Sequence, residues 1–170
     1  MNKTPAGNRL HISLFGRRNA GKSTLINALT GQDIALVSDV PGTTTDPVYK
    51  AMELLPVGPV VIIDTAGLDD RGELGRLRVE KTRQVMRKTD LAILVISAAE
   101  GIGDYESEIL ERLVESSIPA IGVINKTDLK NTTEDDLISY RERLGIPVAA
   151  VSASTNEGIE SLKRLIADKG

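Results

Sequence analysis

Eight consecutive residues, Gly16-Arg17-Arg18-Asn19-Ala20-Gly21-Lys22-Ser23, restrict this chain more than any other stretch. They spell G-x-x-x-x-G-K-S, a loop whose glycines let the backbone curl until its N–H groups point inward at phosphate oxygens. Such a loop works only between a strand and a helix. That context is present: an apolar run, Leu10 to Phe15, precedes it, and Leu25, Ile26 and Leu29 follow at helical spacing. The start of the helix adds unpaired N–H groups and the positive end of the helix dipole. Lys22 brings a full positive charge to the outer phosphates, and the Ser23 hydroxyl is a hard oxygen ligand suited to Mg²⁺.

Composition narrows the rest. A chain of 170 residues is long enough for one sizeable core and is most simply one domain. With 21 basic and 24 acidic residues the net charge is −3, so no global basic field draws it to nucleic acid or anionic lipid. Cysteine is absent, which excludes a disulfide framework, a thiolate metal site and a cysteine nucleophile. The single histidine, His11, falls in the first strand run and reads as a packed strand residue. The longest apolar stretch, Leu91 to Ala99, is about half a membrane span. No charged-then-apolar signal opens the chain. The expectation is a cytoplasmic domain with no membrane partner.

Taken in order, residues 1–9 read as a flexible tail and residues 10–170 as the folded domain. Lys22 to Leu29 is a helix ended by Gly31. Gln32 to Asp46 has no period and carries Pro41, Gly42 and Thr43 to Thr45, a long loop that in a compact domain is either functional or disordered. Asp46 to Leu54 and Val60 to Ile63 pair as a hairpin about a turn at Pro56 to Pro59. Leu68 to Gly75 is charged and punctuated by glycine, and Leu77 to Lys88 is a helix with a strongly basic outer face. Leu91 to Ser97 and Ala120 to Ile124 are buried parallel strands. Between them Tyr105, Ile109, Leu113 and Val114 mark one face of a helix. Thr133 and Asp136 form a capping box ahead of a helix using Leu137, Tyr140 and Leu144. Val148 to Val151 is the last strand, and Ile159, Leu162, Leu165 and Ile166 stripe the last helix.

Strands alternating with helices give a mostly parallel sheet covered on both faces, and ligands then bind outside the carboxyl ends of the strands. Gly16, Asp64, Asn125 and Ser152 all open motifs at such ends. The order phosphate loop, Thr loop, Asp64-Thr65-Ala66-Gly67, Asn125-Lys126-Thr127-Asp128 and Ser152-Ala153-Ser154 resembles the translation-factor-like GTPases, among them the TrmE- and Era-like members. The resemblance covers residues 8 to 170. It implies a Ras-like G domain, a P-loop NTPase with a six-stranded, mostly parallel sheet, one antiparallel edge strand and helices on both faces.

The same resemblance assigns roles. Arg17, Asn19, Ala20, Gly21, Lys22, Ser23 and Thr24 hold the nucleotide phosphates, with Asn125, Lys126, Asp128, Ser152 and Ala153 around the base. Asp128 accepts two N–H bonds from guanine that adenine lacks, a discrimination of roughly 10⁴ or more. Lys126 lays its aliphatic stem on the base plane. Asn125 bonds the base and ties its loop to the phosphate loop, and the Ala153 N–H meets the guanine oxygen. Ser23, Thr44 and Asp64 serve Mg²⁺. Lys22, Thr44 and Gly67 attend the γ-phosphate during in-line attack by water. Leu68 departs from the Ras-like pattern, since an apolar side chain cannot orient water where those enzymes carry glutamine. Asn19 matches the subgroup activated by dimerisation and K⁺, its amide oxygen seating the ion. Glu73 is the substitute for the missing glutamine.

A narrower resemblance rests on the Arg17-Arg18-Asn19 loop, on Pro47 after the Thr loop and on Gly67-Leu68-Asp69-Asp70. It points to the GTPase domain of HydF, the maturation GTPase of [FeFe]-hydrogenase. It implies slow hydrolysis of GTP to GDP as a switch read by other maturation proteins and the hydrogenase, with a homodimer across the loops that sense GTP. The alternative is a tRNA-modification or ribosome-assembly GTPase. The acidic balance argues against nucleic acid, and only the basic helix Leu77 to Lys88 argues for it. A nucleotide-binding module without turnover, suggested by Leu68, and an ATPase with Asp128 idle complete the alternatives.

Overall fold

The computed structural model describes residues 9–17, 20–31, 48–65, 75–126 and 133–169. Strand β1 (Leu10–Phe15) leads through the phosphate loop into helix α1 (Lys22–Thr30). Strands β2 (Val48–Leu54) and β3 (Gly58–Asp64) form a hairpin. There follow α2 (Gly75–Arg87), β4 (Leu91–Ser97), α3 (Asp104–Glu115), β5 (Ala120–Asn125), α4 (Glu134–Leu144), β6 (Val148–Ala150) and α5 (Ile159–Lys169).

These strands make one sheet in the order β2-β3-β1-β4-β5-β6. Every neighbouring pair is parallel except β2 with β3. The expected architecture, mostly parallel with an antiparallel edge strand, is therefore present. The reason is visible in β4, LAILVIS, where every residue is buried. Alternate side chains serve two separate cores. Ile93 and Val95, with Ile12 and Leu14 of β1, pack against Leu25, Ile26 and Leu29 of α1 and Leu162 and Ile166 of α5. Leu94 and Ile96, with Phe15 of β1, pack against Val85 of α2, Ile109 and Leu113 of α3 and Leu144 of α4. Each such side chain contributes roughly 1.5–3 kcal/mol when fully buried. Ser13 points into the second core, where it is satisfied by Thr89 Oγ1 at 2.6 Å, whose own hydroxyl donates to the Val85 carbonyl at 2.7 Å.

Most boundaries follow the sequence pattern. Gly31 ends α1 in the left-handed conformation (φ 67°), with its N–H on the Asn27 carbonyl. The capping box of α4 is formed in both directions: Thr133 Oγ1 accepts from Asp136 N, and Asp136 Oδ2 accepts from Thr133 N. Helix α2 starts at Gly75, two residues before the periodic stripe. Gly58 and Pro59 belong to β3, so the hairpin turn is shorter than expected. Val114 is corrected: it is 67% exposed, while the buried stripe of α3 is Glu106, Ile109 and Leu113. One step past Leu113 rotates the side chain about 100° off that stripe. The predicted tail, the loop from Gln32 to Asp46 and most of the segment from Leu68 to Gly75 lie outside the described residues.

Candidate functional site

The five parallel strands end on one edge of the sheet, and the motifs follow there: Gly16 after β1, Asp64 closing β3, Asn125 closing β5 and Ser152 after β6. Asn125 holds three of these segments together. It is 1% exposed; its Nδ2 donates to the Ala20 carbonyl at 2.9 Å, and its Oδ1 accepts from the Ala153 N–H at 3.2 Å. One amide thus bridges the phosphate loop and the Ser-Ala-Ser loop, using its donor for one and its acceptor for the other.

The glycines of the loop answer to close contacts. A Cβ on Gly16 would lie 2.7 Å from the Val95 carbonyl oxygen of the neighbouring strand. Gly21 has φ 89°, a left-handed backbone, and a Cβ there would lie 2.6 Å from Asn125 Nδ2. The same point is 3.5 Å from Lys126 Cε, so the lysine stem runs along the loop. Lys126 itself has φ 63°. Lys22 is buried, and its ammonium donates to the Gly16 carbonyl, which holds the charge inside the curl of the loop. Helix α1 starts without a capping side chain and without an acidic residue in its first turn, so the amides of its first turn and its dipole are not neutralised locally. Lys22, Ser23 and Thr24 occupy this first turn, Ser23 partly exposed and Thr24 exposed.

Asp64 ends β3 with 1% exposure, in register with Leu14 two residues before the phosphate loop. Thr65 fastens this strand end to β1, its hydroxyl donating to the Leu14 carbonyl at 2.6 Å. A hydroxyl from Ser23 and a carboxylate from Asp64 are hard oxygens, few in number. That donor set fits Mg²⁺, which takes one or two protein oxygens and draws the rest from phosphates and water. Ser152 is fully buried, its N–H donating to the Glu157 carbonyl at 2.9 Å.

Sequence reasoning grouped Arg17 with the nucleotide ligands; its guanidinium meets the start of α3 and the turn before it. Nε donates to Glu106 Oε2 at 2.8 Å and a terminal nitrogen to the Gly101 carbonyl at 2.9 Å, with Glu100 at 3.6 Å. Glu106 is 1% exposed and its other oxygen accepts from the Gly103 N–H at 2.6 Å. Neither Glu106 nor Thr65 was singled out from sequence. A glutamate three residues after Gly103 at a helix start was the available signal for Glu106. Asn19, Thr44, Gly67, Glu73 and Asp128 lie outside the described residues. No helix among the described residues is long and apolar enough to cross a membrane.

Residues 11–126 match the family described as 50S ribosome-binding GTPase. The tRNA modification GTPase MnmE of Chromobacterium violaceum is 40% identical over 155 residues, covering 91% of this chain and 33% of that protein. GTPase Era of Geobacter metallireducens is 33% identical over 159 residues, covering 91% of this chain and 53% of that protein. A crystal structure of Era in complex with MgGDPNP and nucleotides 1506–1542 of 16S ribosomal RNA superimposes with a TM-score of 0.75 and 25% identity. It covers 94% of this chain and 56% of that one. The chain thus spans about a third of the MnmE relative and about half of the Era relative. It belongs to the 50S ribosome-binding GTPase family, as a GTP-binding domain of that family.

Proposed function

We propose that this domain binds GTP with Mg²⁺ on the carboxyl rim of its sheet and hydrolyses it slowly, as the switch of an RNA-linked GTPase of the tRNA-modification type. The observation that carries the nucleotide site is the Asn125 bridge, because it draws the loop before Asp128 against the phosphate loop and Ala153. In this reading Ala20 to Thr24 cradle the phosphates, and Lys22 neutralises the outer ones. Ser23 and Asp64, with Thr44, serve Mg²⁺. Asp128 and Ala153 read guanine beside the Lys126 stem. The metal supplies charge neutralisation on the transferring phosphoryl group. The chain's own part is to hold the phosphates in line for attack by water and to exchange ordered and released forms of the loops at Thr44 and Gly67.

The RNA link is favoured over hydrogenase maturation by the relatives themselves, which are named as tRNA modification and Era GTPases. The residues that favoured HydF, chiefly Arg18 and Pro47, lie outside the described part of the structure. The expectation of no nucleic-acid partner, drawn from net charge, gives way in this proposal to the local basic surface of α2.

The test is calorimetric titration with GTP, ATP and xanthosine triphosphate for the wild type and Asp128→Asn. Tight GTP binding with no measurable ATP binding, and a swing toward the xanthosine nucleotide in the variant, supports the assignment. Unchanged GTP affinity in Asp128→Asn removes Asp128 from base reading.

A further inference from the structure

The opposite edge of the sheet, at the amino ends of β4 and β5, carries a feature that the nucleotide site does not use. A cleft of about 630 Å³ opens there between the last turns of α2 and α3. That lies within the range of small-ligand sites, roughly 300–1,000 Å³. Arg83 and Arg87 of α2 and Arg112 of α3 line it, together with the hydroxyl residues Thr89, Ser116 and Ser117. Its apolar floor is Met86, Ile118 and Pro119.

The charges are unusual for this chain. Residues 75–88 hold six basic residues against one acidic one, in a protein whose net charge is −3. Arg83 and Arg87 are exposed and four apart on one helix face, a like-charge spacing that is unfavourable without a counter-ion. Neither has a carboxylate or carbonyl partner among the described residues. Among the described residues Arg112 pairs with the exposed Glu108, at 3.1 Å. Two carboxylates also line the cleft. Asp90, which accepts from the His11 N–H at 2.8 Å, and Glu115 leave three arginines against two carboxylates.

Planar guanidinium groups are built for bidentate contact with phosphate, and an apolar floor beside them suits a splayed base or ribose. We propose that this cleft holds a single-stranded RNA segment, Arg83, Arg87 and Arg112 binding successive phosphates while a base rests on Met86, Ile118 and Pro119. The inference rests on the RNA-linked reading above and names the surface through which it acts. It also links the RNA to the nucleotide site through a shared helix. Helix α3 carries Arg112 at this cleft and Glu106 at the phosphate loop, six residues or roughly 9 Å apart along one rigid axis. RNA at one end and nucleotide at the other then bias the same helix.

The experiment measures binding of a labelled, unmodified tRNA transcript to the GDP-loaded chain as a function of salt. Arg83→Glu/Arg87→Glu is compared with Arg143→Glu/Arg164→Glu, an equal charge change on exposed positions of α4 and α5, after both variants are shown to melt like the wild type and to bind GDP equally. The expected result is an affinity about tenfold or more weaker in the first variant only. Its log–log salt slope should become shallower by about 0.7 for each phosphate that the variant no longer neutralises. Equal weakening in both variants, or none in the first, overturns the cleft while leaving the RNA-linked reading standing. No binding by the wild type removes both. Polyglutamate that binds the wild type and is lost in Arg83→Glu/Arg87→Glu, with tRNA binding equal in both, assigns the cleft to an acidic protein segment and overturns the proposal.

Discussion

Arg17 in the phosphate loop and Glu106 in the first turn of α3 form a 2.8 Å ion pair although 89 residues separate them. Glu106 is buried and also caps the Gly103 amide, whereas Arg17 is about one-third exposed (32%). Removing the arginine strands a buried charge, which costs 3–5 kcal/mol at a fully buried pair and less here because water reaches Arg17. Arg17→Ala is expected to lower stability by about 1–3 kcal/mol in urea unfolding. Glu106→Gln, at a residue that meets the phosphate loop through Arg17, is expected to weaken GDP binding roughly fivefold, about 1 kcal/mol of coupling. Unchanged GDP affinity in Glu106→Gln would separate α3 from the nucleotide site.

Asn125 serves Ala20 with a donor and Ala153 with an acceptor. Asn125→Ala leaves both backbone groups without a partner, at about 1–3 kcal/mol each. Asn125→Asp keeps the acceptor for Ala153 but sets a carboxylate oxygen against the Ala20 carbonyl. The aspartate variant is therefore expected to be at least as unstable as the alanine variant and to bind GDP more weakly. A more stable aspartate variant would mean that the Ala20 hydrogen bond contributes little.

Glycine substitutions discriminate crowding from backbone strain. At Gly31 and Gly145 a new Cβ meets nothing within 4 Å, so alanine carries only the left-handed penalty, about 1–2 kcal/mol. At Gly21 the same penalty adds to displacement of Asn125, and at Gly16 the new Cβ meets a backbone oxygen of β4. Thermal melts are expected to rank Gly21→Ala as more damaging than Gly31→Ala, with Gly16→Ala costing about 1–3 kcal/mol through overpacking alone. Equal melting of the Gly21 and Gly31 variants would contradict the close approach of Asn125.

Turnover bears on Asn19. With Leu68 in place of a water-orienting side chain, the isolated chain is expected to hydrolyse GTP slowly. K⁺ is expected to raise the rate over Na⁺ by about tenfold, equivalent to about 1.4 kcal/mol of barrier, and Asn19→Ala to abolish the difference. Steady-state phosphate release in the two salts, at protein concentrations that allow dimer formation, decides it. The same rate in both salts takes K⁺ out of the mechanism.

The elements and the rim on which the site lies were legible from sequence because they depend on local spacing. The run LAILVIS, short, continuous and rich in β-branched residues, reads as a strand buried on two faces, and Leu25, Ile26 and Leu29 share a face on a helix. With a motif at the end of four of the five parallel strands, parallel pairing brings them to one edge whatever the details. The positions that were not legible depend on packing between distant segments. Nothing near Arg17 foretells a partner 89 residues away, and Val114 looks like a stripe residue until the sheet defines which side of α3 is covered. The three arginines of the cleft belong to two helices, and only the packing of α2 beside α3 makes them a cluster. Hydrophobic period is carried by neighbours along the chain, whereas side-chain partnership is settled by proximity in three dimensions.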